Sequence, residues 1–486
     1  MENTKLNIIV VVSDTLRTAE LGCYGNRRIQ TPNIDRFAAS GMRFLHAYPE
    51  SLPTIPVRRT LHTGRRAYPF RDYRPLPWDI VYLPGWQPMD DHETTVAEDL
   101  AAAGYHTGFV ADTLPYFAPG MNFTRGFWQW EFVRGKQQDR WKSVHAVDAR
   151  RLAGYQDGDD PDRHNLVRYH LANTEARRTP ETTCTFETFD WASAFVRDNR
   201  DVPFYLFVDT FDPHEPWDAP ETYYRRYADG SFRGKRIVHT RYDRDFAGCT
   251  PEQVADIRAN YCGLVSLVDA AFGRLLDTLD TTGLADRTVV IFTSDHGTNL
   301  GDNLWRVMGK PAWALLPGTM HIPLIVRHPR LGGAGAAHAG LRSNLDIPAT
   351  VYDIAGAVPG QGRSSKIPGS GTGRHPDTID GQSLLPCLAG GTRGDRAYLT
   401  CRYGDTVWAF DGKWWTFGPV SGAGHHVFDV ESDPGLVQDR SAADDREARQ
   451  ATERNWRRIL ADGGGDLPDY SARTVTDAIG QRAVRR

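Results

Sequence analysis

Three stretches of the chain are continuously apolar and end in an acid: "NIIVVVSD" (7–14), "PFYLFVD" (203–209) and "TVVIFTSDH" (288–296). A strand covered on both faces shows such an unbroken run, whereas a half-exposed strand alternates. Elsewhere the apolar positions fall at helical spacing between clear start and stop signals. Thr31-Pro32-Asn33 offers an N-cap and a proline at the first helical position, followed by Ile34, Phe37 and Ala38 and a stop at Gly41. "TVAEDLAAAG" repeats the plan: Thr95 and Glu98 are spaced as a capping box, and Gly104 ends the helix before the strand-like "YHTGFVA". Short apolar runs alternating with amphipathic segments predict an α/β domain built on a large, mainly parallel sheet flanked by helices.

Two segments break the rhythm. Residues from about Trp128 to Pro180 are rich in Arg, Asp, His and Gln with weak periodicity, the texture of an inserted loop region that could wall a substrate pocket. "GAVPGQGRSSKIPGSGTGRHP" has linker composition. After Leu385 the texture becomes short aromatic strands separated by Tyr-Gly-Asp and Asp-Gly turns, which predicts a smaller C-terminal antiparallel-sheet subdomain. The expected division is a catalytic α/β domain over 1–385 and a small α+β subdomain over 386–486.

Composition narrows the partners. A net charge of −4, with Lys and Arg scattered along the chain, lacks the basic surface that nucleic acid requires. The N-terminal apolar run is too short for a signal-peptide core or a membrane span, and the six cysteines are widely spaced without a C-x-x-C. A cytoplasmic protein with reduced thiols is expected, with no membrane partner and with its oligomeric state left open.

Parallel sheets bind ligands beyond the carboxyl ends of their strands, so Asp14, Asp209 and Asp295 are candidates to meet at one edge, with His296 adjacent and His214 in "DPHEP" close by. Acids also follow strands as turn residues or caps, and it is their number that favours a site. These segments, with "LGCYGN", "TIPVRRTLHTG", "SDHGTNLGDN", "IPLIVRHP" and "DGQSLLP", occur in one order. In that order the chain resembles the sulfatases and phosphonate monoester hydrolases of the alkaline phosphatase superfamily.

The resemblance implies an alkaline-phosphatase-like (sulfatase) fold and a metal-dependent hydrolase of a small anionic phosphate, phosphonate or sulfate-type ester. It implies a divalent metal held by Asp14, Asp295 and His296, with Thr54 completing the site and acting as nucleophile. Thr54 stands where sulfatases carry the Cys or Ser converted to formylglycine, and a secondary alcohol cannot give that aldehyde, so no formylglycine is expected. Thr15 replaces a second metal aspartate, and two carboxylates with an imidazole favour Mn²⁺ or Zn²⁺ over Ca²⁺. Arg58 is expected to orient the nucleophile loop or the anion. His214 is expected to act as general acid, unless Asp212 merely holds it in place, and Lys310 to hold an anionic oxygen. His321 is either a further ligand or anion contact, or a packed histidine. In "GFVADTLPYF", Asp112 stands where sulfatases carry a lysine and Leu114 where they carry a histidine, so either Asp112 points elsewhere or the substrate presents a cation or hydroxyl there. Two other activities fit the same residues: transfer of the group to an alcohol or amine, and inert anion binding.

Overall fold

The computed structural model describes residues 5–73, 83–136, 139–156, 164–362, 378–391, 394–442 and 444–470. The three apolar runs become neighbouring strands, Thr288–Ser294, Asn7–Ser13 and Phe204–Thr210, parallel and in register, with Ser13 opposite both Ser294 and Thr210. Every residue of these three strands is buried. They form the middle of an eight-stranded sheet. Leu324–Arg327, Met42–Tyr48 and Ala337–Ser343 extend it on one side, and His106–Ala111 and Gln129–Phe132 on the other. All ladders are parallel except those of Leu324–Arg327, which runs antiparallel to both neighbours.

The pleat of the central strand sorts its side chains into two cores. Ile9 and Val11 pack with Phe37, Phe189 and Phe272, from the helices Pro32–Ser40, Cys184–Asp198 and Pro251–Thr281. Ile8, Val10 and Val12 pack with Ile55, Leu100 and Val351, from the helices Thr54–Thr63, Val96–Ala102 and Asp346–Ala355 on the opposite face. The Thr95–Glu98 capping box forms as expected. Thr31 makes no side-chain cap; its hydroxyl is drawn off by Gly22 N (3.0 Å) and Asp35.

The expected C-terminal sheet is present, with an addition from far upstream. Leu399–Tyr403, Thr406–Phe410, Trp414–Pro419 and His426–Asp429 form an antiparallel meander, and Ser51–Leu52 joins its open edge in parallel to Leu399–Tyr403. Its apolar face is continuous with the large core: Trp408, Trp415 and Phe410 surround Tyr48, and Trp415 Nε1 donates to Leu315 O at 2.9 Å. The helix Arg446–Asp462 covers the other face, where Ile459 meets Val407 and Ala409. Ser51–Leu52 leads directly into Thr54, so the small sheet fixes the entry to the helix Thr54–Thr63. The linker-like stretch lies largely outside the described residues. Among them, no disulfide joins any of the six cysteines, and no helix is long and apolar enough to cross a membrane.

Trp415 is 2 % exposed, so Trp415→Ala should leave a cavity beside Tyr48 and the Leu315 carbonyl without its indole donor. It should cost about 3–5 kcal/mol, read as a lower denaturant midpoint of unfolding.

Candidate active site

The register that aligns Ser13 with Ser294 and Thr210 sends Asp14, Asp209 and Asp295 to one edge of the sheet, all fully buried. Unsolvated carboxylates this close demand a cation, and Arg58 supplies one charge. Its Nε and NH2 meet the two oxygens of Asp209 at 3.1 and 3.0 Å, NH2 reaches Asp14 at 3.1 Å, and NH1 donates to Asp295. Arg58 is itself 0 % exposed, and its guanidinium is engaged by these three carboxylates. Thr54 lies one turn earlier on the same helix face. Asp209 also accepts from Thr113 Oγ1 and Tyr116 Oη, both at 2.7 Å, so its oxygens are committed to holding Arg58.

The ligand atoms of Asp14, Asp295 and His296 all lie within 4.8 Å of one another. His296 Nδ1 is 2.9 Å from Gly297 O, a pure acceptor, so the proton of the neutral ring sits on Nδ1. Nε2 therefore carries a lone pair; it is buried, no donor meets it, and its neighbour Asp295 Oδ2, at 3.1 Å, is itself an acceptor. A bare, oriented imidazole nitrogen beside two carboxylates is the donor set a divalent metal requires. The charges agree: three carboxylates against one guanidinium leave two uncompensated negative charges in a dry site. In the metal-free cluster, burial and the neighbouring Asp295 push the Asp14 carboxyl well above its usual range. Thr15, with φ 65°, folds back over this cluster: its hydroxyl donates to Asp14 (2.7 Å) and its amide to Asp295 (2.9 Å).

Facing these groups is a second cluster whose centre, Glu215, the sequence did not single out. Glu215 is fully buried; its Oε2 accepts from Lys310 Nζ at 2.8 Å and its Oε1 from Tyr242 Oη. His214 Nδ1 lies 2.6 Å from Glu215 O and 3.2 Å from Oε2. Burial drives the His214 pKa down to about 3 although Glu215 opposes this, so the ligand-free ring is neutral with its proton on Nδ1. Its Nε2 is then an acceptor, and His214 must gain a proton before it can act as a general acid. Glu215 itself is held well below the usual carboxylate range by His214, Lys310 and His239 against its own desolvation. The partner expected for His214, Asp212, is engaged elsewhere, by Lys136 Nζ and Thr185 Oγ1. A glutamate between the histidine and proline of "DPHEP" was the available signal, but nothing in the sequence joins it to Lys310 or Tyr242.

Asp112 has one oxygen engaged by the backbone and one not. Its Oδ1 accepts from Phe211 N at 2.6 Å, its Oδ2 is buried without a hydrogen-bond partner, and burial raises its pKa to about 7, with Lys136 opposing. His321 has Nε2 2.7 Å from Leu45 O and its ring stacked on Tyr48 at 5.3 Å.

The sulfatase family model matches residues 6–357. The chain belongs to the sulfatase family. This sulfatase-family protein is 26% identical over 440 residues to the multifunctional alkaline phosphatase superfamily protein PehA of Trinickia caryophylli, covering 81% of this chain and 79% of that one. It is 28% identical over 367 residues to the uncharacterized sulfatase YidJ of Escherichia coli, covering 72% and 66%. The phosphonate monoester hydrolase of Agrobacterium radiobacter superposes with a TM-score of 0.71 at 20% identity, covering 94% of this chain and 96% of that one. With sulfatases and phosphonate monoester hydrolases as its relatives, the chain is a sulfatase-like hydrolase of the α/β alkaline-phosphatase-like fold.

Four buried histidines lower the stability of this sulfatase-family fold as pH falls. Burial lowers His62 and His214 to about 3, and His296 and His321 to about 4, from 6.5. Below about pH 6.5 the unfolded chain takes up protons at these positions that the folded chain refuses, whereas the carboxyls of Asp14, Asp112 and Asp269, raised by burial, act in the opposite direction over the same range. The contribution of one histidine is read by difference: relative to the unaltered chelated protein, the melting temperature of His62→Phe should rise progressively from about pH 6.5 to 4.

Proposed function

We propose that the chain hydrolyses a small monoanionic ester, a phosphonate monoester or phosphodiester in first place, through a covalent intermediate on Thr54. The reading rests on the bare Nε2 of His296 in the buried Asp14–Asp295 cluster, beside the helix that Thr54 opens. Asp14, Asp295 and His296 would hold one divalent ion, with Mn²⁺ or Zn²⁺ suiting two carboxylates and an imidazole better than Ca²⁺. When bound, that ion supplies the positive charge that makes the Thr54 hydroxyl acidic enough to react and offsets charge on the transferred group.

The remaining chemistry belongs to the side chains. Thr54 Oγ1 bonds to the central phosphorus or sulfur as the bond from that atom to the ester oxygen breaks; the proton lost by the Thr54 hydroxyl passes through His214 Nε2 to that oxygen, and the alcohol is released. In the second step His214, with Nδ1 tied to Glu215, takes a proton through Nε2 from the water that attacks the adduct. That proton goes to Thr54 Oγ1 as its bond to the central atom breaks, which regenerates the hydroxyl. Arg58 keeps its helix in place through Asp209, and Lys310 faces the site as half of an ion pair with Glu215.

That ion pair bears on the substrate. With Asp112 in place of a lysine and Lys310 neutralised by Glu215, the site has no excess of cations once its metal is bound, which suits a group carrying one negative charge better than a dianion. A threonine adduct lacks the elimination route open to formylglycine, which favours phosphorus over sulfur. In a panel of aryl esters, the phosphonate monoester and phosphodiester should exceed the phosphate monoester in kcat/KM; a dominant phosphate monoesterase would overturn the charge argument.

Thr54→Ala should lower kcat by at least about 10³-fold with bound metal unchanged by elemental analysis, and Thr54→Ser should retain part of the rate. Intact-mass and peptide spectra of active protein should show an unmodified Thr54. Near-normal turnover in Thr54→Ala, or an oxidised residue 54, would exclude this mechanism.

A further inference from the structure

On the far side of the segment that carries His214 lies a second polar cavity, of about 490 Å3. Its lining includes none of Asp14, Thr54, Arg58, His214, Asp295, His296 and Lys310. Much of its wall comes from the irregular region noticed in the sequence, through Lys136, Arg150, Arg151, Arg177 and Arg178, with Arg236 opposite. These six cations face four lining carboxylates, and two acids outside the lining, Glu175 and Glu187, also pair with them. The least compensated cations are at the rim: Arg151 and Arg178 share the single acid Glu175, and Arg150 makes no ion pair among the described residues. A volume of this size takes a small organic molecule, and converging guanidinium groups select oxyanions.

We propose that this cavity is a binding site for a small dianion, separate from the metal cluster and regulatory in effect. The regulatory element is the segment Asp212–Asp218, held at both ends by cations of the cavity. Lys136 pairs with Asp212, while Arg236 NH1 meets Asp218 at 3.0 Å. His214 and Glu215 lie between these anchors. An occupant that draws Lys136 and Arg236 toward itself weakens both anchors at once, and the segment that places the catalytic imidazole responds. Neither step depends on which ester the enzyme cleaves, so the site can be tested without a substrate.

Succinate is a suitable probe, because it carries two carboxylates and takes no part in ester transfer; succinamide is its uncharged counterpart. Calorimetry on the metal-loaded protein should give saturable binding of one succinate per chain and none of succinamide. Arg150→Ala/Arg178→Ala removes two exposed rim cations with little structural role and should weaken binding by at least about tenfold. Arg446→Ala/Arg457→Ala makes the same change of net charge on a distant exposed helix and should leave it unchanged. The His214 imidazole resonance, assigned with His214→Asn, should shift along the same saturation curve. Absent or non-saturable binding, equal binding of succinamide, or equal loss in both double variants would overturn the site. Saturable binding with an unmoved His214 resonance would overturn its regulatory role.

Discussion

The burial of Arg58 among Asp14, Asp209 and Asp295 is the constraint on which the catalytic half of the molecule depends. Three carboxylates delivered by three adjacent parallel strands cannot remain ionised in a dry sheet edge without positive charge, and one guanidinium supplies only a third of it. Asp209 takes the guanidinium through two oxygens, supported by Thr113 and Tyr116, and so fixes the helix that begins with Thr54. Asp14 and Asp295 are left undercompensated next to an imidazole with a bare nitrogen. The same arrangement therefore fixes the helix that begins with Thr54 and leaves a donor set that fits a divalent ion.

A second constraint comes from the C-terminal sheet. By taking Ser51–Leu52 as its edge strand, it holds the two residues that precede Pro53 and Thr54, and its tryptophans close the core around Tyr48. Thr54 is thus fixed from one side by an ion cluster and from the other by a sheet whose strands lie more than three hundred residues away in the chain. Catalytic groups must be held closely to be effective, and two independent supports restrict the position of Thr54 more than either could alone.

The segment from Asp209 to Asp218 connects the remaining parts. Asp209 faces the metal cluster, His214 and Glu215 face the substrate side, and Asp212 and Asp218 face the basic cavity. Its alternate residues serve different surroundings, so a change at one surface has a short covalent path to another. Glu215 sits at the crossing of those roles: it sets the tautomer of His214 through its carbonyl and cancels Lys310 through its carboxylate.

The local signals in the sequence were strong where one element sufficed to generate them. Unbroken apolar runs ending in acids announced the three central strands, Thr95 and Glu98 announced a helix start, and the aromatic alternation after Leu385 announced a second sheet, because burial on both faces, capping and pleating leave their mark within a few residues. The convergence of Asp14, Asp209 and Asp295 was also legible, since parallel strands place their ends together. Pairings between distant side chains were not. That Asp209 would serve Arg58, that Glu215 would claim Lys310, that Asp112 would turn to Phe211 N and that His321 would pack on Tyr48 are outcomes of competition among buried polar groups for a limited set of partners. Such competition is decided by distances and desolvation in the folded molecule, which no periodicity along the chain encodes.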